Sequence, residues 1–130
     1  MEIDALRESY ETWKQRTHDL TSSRAPWIDA TLVFGFKLYT ARQEFKKHDR
    51  EFSIWLDHNG FKEITRHDRA GFIWIGQYPS IARQVMTETN LISIQIIGAA
   101  VKRRVPTARN HDSGKTKKKK VKKIENRAFG

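Results

Sequence analysis

The stretch Arg50–Gln77, REFSIWLDHNGFKEITRHDRAGFIWIGQ, carries the densest structural signal in the chain. Phe52, Trp55 and Leu56 recur at helical spacing and form the buried face of a helix over Arg50–His58, with Asp49 placed to cap its first turn. Asn59 and Gly60 both tolerate positive φ and stop that helix. A second helix is expected over Lys62–Gln77, with Ile64, Phe72 and Ile75 on one side and Ile73 and Trp74 beside them. Helix, glycine-containing turn, helix is the plan of a helix-turn-helix reader. There a support helix packs on a second helix whose N-terminal residues face base edges in the major groove. On that plan Phe61 fills the turn, and Lys62, Thr65, Arg66, His67 and Arg69 offer donors suited to phosphate oxygens or guanine edges. Glu63 and Asp68 stand among them and would repel phosphate unless paired or turned away. The same pattern also serves an ordinary helical bundle, in which a charged helix opening is only a solvated face.

Toward the N-terminus, Ile3, Leu6, Tyr10, Trp13 and Leu20 form one stripe of a helix over Glu2–Leu20, with Thr17 in the missing position. The near-heptad spacing suits packing within the chain or against a second copy, so a homodimer is one expectation. A break is expected over Thr21–Pro26, Pro26 being acceptable at a helix start. The next helix, Trp27–Lys46, has apolar residues on more than one stripe and is expected to be central. Gly35 weakens it by about 1 kcal/mol relative to alanine, or lets another helix approach closely.

Toward the C-terminus, Tyr78-Pro79-Ser80 reads as a turn and Ile81–Thr87 as a helix with Ala82, Val85 and Met86 inward. Leu91–Val101 fits two patterns. Ile92, Ile94 and Ile96 alternate as in a strand, while Leu91, Ile94, Ile97 and Val101 fit a helix capped by Asn90. Helix is the choice, because no second strand is available to pair. Pro106 closes the folded part. The expectation is an all-α bundle of five to six helices over residues 1–105 with a helix-turn-helix-like pair, followed by a basic flexible tail over 106–130.

Phe34-Gly35-Phe36-Lys37-Leu38-Tyr39-Thr40-Ala41-Arg42, then Glu51–Leu56, then Asn59-Gly60-Phe61, resemble a helix-turn-helix-like module of bacterial and phage proteins. In that module a G-x-x-L-x-x-A helix precedes an F-x-x-W-L helix and a glycine turn. The resemblance implies a DNA-associated role in phage or mobile-element biology, such as transcription regulation, replication or packaging. This chain has Thr65-Arg66-His67-Asp68-Arg69-Ala70 where the module opens its next helix with S-x-R-T-A.

The net charge of +10 is unevenly placed. Residues 1–101 hold 13 basic and 13 acidic side chains, whereas residues 102–130 hold 12 basic ones against Asp112 and Glu125. Lys102, Arg103 and Arg104 begin this excess, and Lys115, Lys117, Lys118, Lys119, Lys120, Lys122 and Lys123 concentrate it. Such a run repels itself and suits a polyanion, to which it would bind without reading sequence. A non-catalytic nucleic-acid-binding protein is expected, with DNA ahead of RNA. The contacts would come from these tail residues together with Lys62, Thr65, Arg66 and Arg69. The alternative is an interaction module that occupies an acidic host protein through exposed aromatics such as Trp13 and Trp27.

Other classes find little support. The chain has no cysteine, which excludes disulfides, thiolate zinc sites and a cysteine nucleophile. Gly114-Lys115-Thr116 ends like a phosphate-binding loop, but Arg109 stands where that loop requires glycine. His58 and His67, with Asp57 and Asp68, match no metal-ligand spacing, so neither metal nor cofactor is expected. The acidic N-terminus and the interrupted apolar run Leu91–Val101 suggest a cytoplasmic protein with no membrane role.

Overall fold

The computed structural model describes residues 3–20 and 24–106. Six helices account for most of them, and no strand occurs among the described residues: α1 (Ile3–His18), α2 (Arg24–Glu44), α3 (Asp49–His58), α4 (Arg66–Gln77), α5 (Pro79–Glu88) and α6 (Ile94–Arg104). The all-α expectation holds, including the helical choice for the segment around Ile94.

α2 is central, as its several apolar stripes suggested, packing on α1, α4 and α5, and α4 shares the middle with it. α4 runs between α2 and α6, and backbone meets backbone on both of its sides. Gly76 lies against Gly35 of α2, where an added Cβ would fall on the Gly35 carbonyl. Gly71 lies against Gly98 and the Ile94 carbonyl of α6. Of the two roles open to Gly35 from sequence, close approach is therefore the one it fills.

An aromatic cluster from α1, α2, the α3–α4 turn and α4 fills the centre. Phe34 and Phe72 meet edge to face with centroids 4.7 Å apart, and Tyr10 lies 5.1 Å from Phe34 and 5.4 Å from Phe61. Trp13 meets Phe72 edge-on at 5.1 Å. Such pairs each add about 0.5–1.5 kcal/mol beyond the area they bury. The α1 stripe joins the chain's own core: Leu6 and Tyr10 are buried in it, and Ile3, Trp13 and Leu20 are partly buried against it. Trp27 is 1 % exposed, with its indole N–H donating to Thr17 Oγ1 at 3.0 Å. Of the two aromatics named for a protein partner, Trp27 is buried and Trp13 half-buried, while Phe36 is 55 % exposed.

Several boundaries differ from the sequence reading. α2 begins at Arg24, whose guanidinium donates to the carbonyls of Met86 at 3.0 Å and Leu91 at 2.6 Å. Of the expected break, Thr21–Ser23 lie outside the described residues. α2 ends at Glu44, and Lys46 takes a left-handed φ of 53°. Asp49 does not cap α3; His48 occupies that position, and the Asp49 carboxylate accepts from Arg42 instead. α3 stops at a turn in which Gly60 alone has positive φ, at 93°. Phe61 N–H bonds back to Leu56 O at 3.0 Å across it, as the glycine-terminated helix motif requires. α5 starts at Pro79, which needs no first-turn partner. α6 is capped by Ser93, whose hydroxyl accepts from Ile96 N–H at 3.3 Å, so Asn90 is not its cap. No helix among the described residues is long and apolar enough to cross a membrane.

Candidate nucleic-acid interface

The opening of α4 is built by Thr65. Its hydroxyl accepts from Asp68 N–H at 3.1 Å, so the helix starts at Arg66 and Lys62 lies in the preceding turn. This corrects the expected start by four residues. A β-hydroxyl at the cap satisfies an otherwise unpaired first-turn donor, which no lysine can do.

Arg69 is drawn inward. Its Nη2 donates to Asp57 Oδ1 at 2.7 Å and to Phe61 O at 2.9 Å, and its side chain is only 12 % exposed. The guanidinium clamps α3, the turn and α4 together, and its charge is answered by Asp57. As an open phosphate donor it is a correction to the sequence reading. Nε of Arg69 is buried with no acceptor among the described residues. Glu63 is exposed, with Lys14 Nζ 3.8 Å from its carboxylate and Tyr10 close enough to feel its charge. Burial, reinforced by Glu63, pushes the Tyr10 hydroxyl pKa well above its usual range. The repulsion that Glu63 would exert on phosphate is thereby muted.

Arg66 stands exposed at the first position of α4 and makes no ion pair or hydrogen bond among the described residues. Beyond it the flanks of α4 are covered by α2 and α6, with Gly71, Phe72, Ile75 and Gly76 buried. What remains open is a strip running through Arg66, Ala70, Ile73, Trp74 and Gln77. This strip is one wall of a cleft rather than a projecting ridge. Arg42 from the end of α2 and Asp49, Phe52 and Ser53 from α3 make the rest, enclosing about 350 Å³. Arg69 lines it too, but with its charge taken up by Asp57, so Arg42 and Arg66 share one carboxylate, Asp49, among the lining residues. Arg42 is held by that carboxylate through Nη2 at 3.0 Å and Nε at 3.2 Å.

Trp74 joins this cleft to the end of α6. Lys102 Nζ lies 5.7 Å from its ring centroid, and Tyr78 stacks on it at 5.7 Å. Lys102, Arg103 and Arg104 are exposed on the last turn of α6, where positive charge also complements the helix carbonyl end. Arg104 reaches Glu88 at 3.2 Å. The seven tail lysines Lys115, Lys117, Lys118, Lys119, Lys120, Lys122 and Lys123 lie outside the described residues. Thus Arg66 and Lys102 border one surface, whereas Lys62 sits in the turn and Thr65 and Arg69 are engaged internally.

Arg42, Phe52 and Trp74 were not singled out from sequence as binding residues. Phe52 and Trp74 read as core residues and Arg42 as part of a helix motif, and no local signal separates a core aromatic from one lining a cleft. Among the described residues no three histidine, aspartate or glutamate side chains converge where a metal ion could sit, and His58 and His67 are both exposed. Compared with protein-family models, curated proteins and solved structures, the chain matches none.

Proposed function

We infer that the chain binds nucleic acid, DNA ahead of RNA, by holding phosphates without catalysing a reaction. The observation that carries this reading is the continuity of positive charge. The last turn of α6 bears Lys102, Arg103 and Arg104, and the lysines from Lys115 to Lys123 follow within 20 residues in sequence, while the body up to Val101 is neutral. Released counterions would supply most of the affinity, and contacts of this kind position a duplex without reading its sequence.

Base reading by α4 has weaker support than phosphate contact. A recognition helix presents several exposed side chains along a projecting face. α4 is pinched by backbone contacts on both sides and offers only Arg66 and His67 at its open end. The function is tested by titrating labelled duplexes of unrelated sequence with the full chain over a range of salt. The expected result is similar affinity for each sequence and a steep linear fall of log affinity with log salt. Affinity that is absent even in dilute buffer removes the reading, and strong preference for one sequence moves the contact back to α4.

A further inference from the structure

We propose that the cleft between α2, α3 and α4 holds one unpaired nucleotide, with its phosphate between Arg42 and Arg66 and its base against Ile73 and Trp74. The inference rests on the nucleic-acid reading above and specifies what part of the polymer the folded body takes.

The chemistry of the lining argues for it. A volume of about 350 Å³ sits at the small end of ligand pockets and suits a single nucleotide rather than a helix or strand of protein. Guanidinium forks match phosphate geometry in a way lysine does not. Arg66 is uncommitted among the described residues, and Asp49 takes only Nε and Nη2 of Arg42, leaving the Nη1 amine for a second acceptor. The phosphate would also meet the positive end of α4, at whose first position Arg66 stands. Beside these cations the lining is apolar, from Ala70, Ile73 and half-buried Trp74, and Gln77 and Ser53 can bond a base edge. Aromatic floors beside cations bind unpaired bases of any sequence by stacking. A base inside a duplex cannot reach such a floor without leaving its stack, whereas an unpaired nucleotide or frayed end can. Lys102, over Trp74, then continues the phosphate path toward α6 and the basic tail.

The test uses the full-length, isotope-labelled chain. AMP, adenosine and inorganic phosphate are titrated separately while the indole N–H signal of Trp74, assigned with Trp74→Phe, is followed by NMR. AMP is expected to shift that signal further than either fragment. Arg66→Ala should weaken AMP by about tenfold, while Arg16→Ala, which removes an exposed cation of α1 that does not line the cleft, should not change it. Single-stranded oligonucleotide should displace AMP and blunt-ended duplex should not. Phosphate shifting the signal as far as AMP, or duplex displacing AMP as well as single strand does, overturns the proposal. So does oligonucleotide binding that leaves Trp74 unmoved, an outcome that spares the nucleic-acid reading. AMP binding with no affinity for either polymer would instead uphold the nucleotide site and remove that reading.

Discussion

Tyr10 shows how far one side chain's ionisation is bound to the fold. Its hydroxyl is buried beside Glu63, so the folded protein keeps it protonated well past the pH at which it would ionise in an unfolded chain. A raised pKa contributes stability that is complete below the unfolded value of 10.0 and is lost as pH climbs above it. Above about pH 10 the wild type should lose about 1.4 kcal/mol per pH unit relative to Tyr10→Phe, with no such divergence near neutrality. Denaturant titrations of both proteins across alkaline pH check this, and parallel curves would refute it. Thr65 makes a second residue-scale prediction. Thr65→Ala should cost about 1 kcal/mol, because Asp68 N–H loses its acceptor, while Thr65→Ser should cost much less. The measurement is the denaturation midpoint at constant slope.

Among the elements, α4 is the one that cannot be shifted. Gly76 and Gly71 let it touch α2 and α6 with no intervening side chain, and in each case the neighbour is backbone, which has nowhere to retreat. Gly76→Ala should therefore destabilise by at least about 1–3 kcal/mol, as overpacking against a rigid neighbour does. Gly60→Ala meets empty space but must hold φ near 93°, so its cost should be nearer 1 kcal/mol and purely conformational. Thermal unfolding of the two variants ranks them, and equal losses would mean that the Gly35–Gly76 crossing relaxes freely. Much of this architecture was legible from local pattern. The α3 face of Phe52 and Leu56, the α5 face of Ala82, Val85 and Met86, and the helical nature of the Ile94 segment all follow from apolar periodicity. The caps were not so legible. Ser93 competes with Asn90, and Thr65 with the lysine three residues before it. The choice falls to whichever start lets the next apolar residues reach the core.

Over the whole molecule, charge separates into a balanced body and a cationic end. Replacing Lys117, Lys118, Lys119 and Lys120 together by Gln in the full chain should flatten the salt dependence of duplex binding. For every phosphate that a lysine no longer neutralises, the log–log slope should become shallower by about 0.9. Circular dichroism and melting should be unaffected if those lysines serve only the polyanion. An unchanged slope would place the binding surface on the folded body instead, at Arg66 and Lys102.

The amino-acid order alone established that the body is helical, roughly where each helix lies and where positive charge accumulates. Each of these depends on neighbours along the chain: a 3.6-residue period, a residue that admits positive φ, a count of lysines. That α4 shares the middle with α2, which arginine stays open and which is taken up by Asp57, and that Arg42 and Trp74 share one cleft, were settled only when distant segments met. Gly35 has no preference for Gly76 until two helices cross, and Arg69 is an available cation until α3 brings a carboxylate to within 2.7 Å of it.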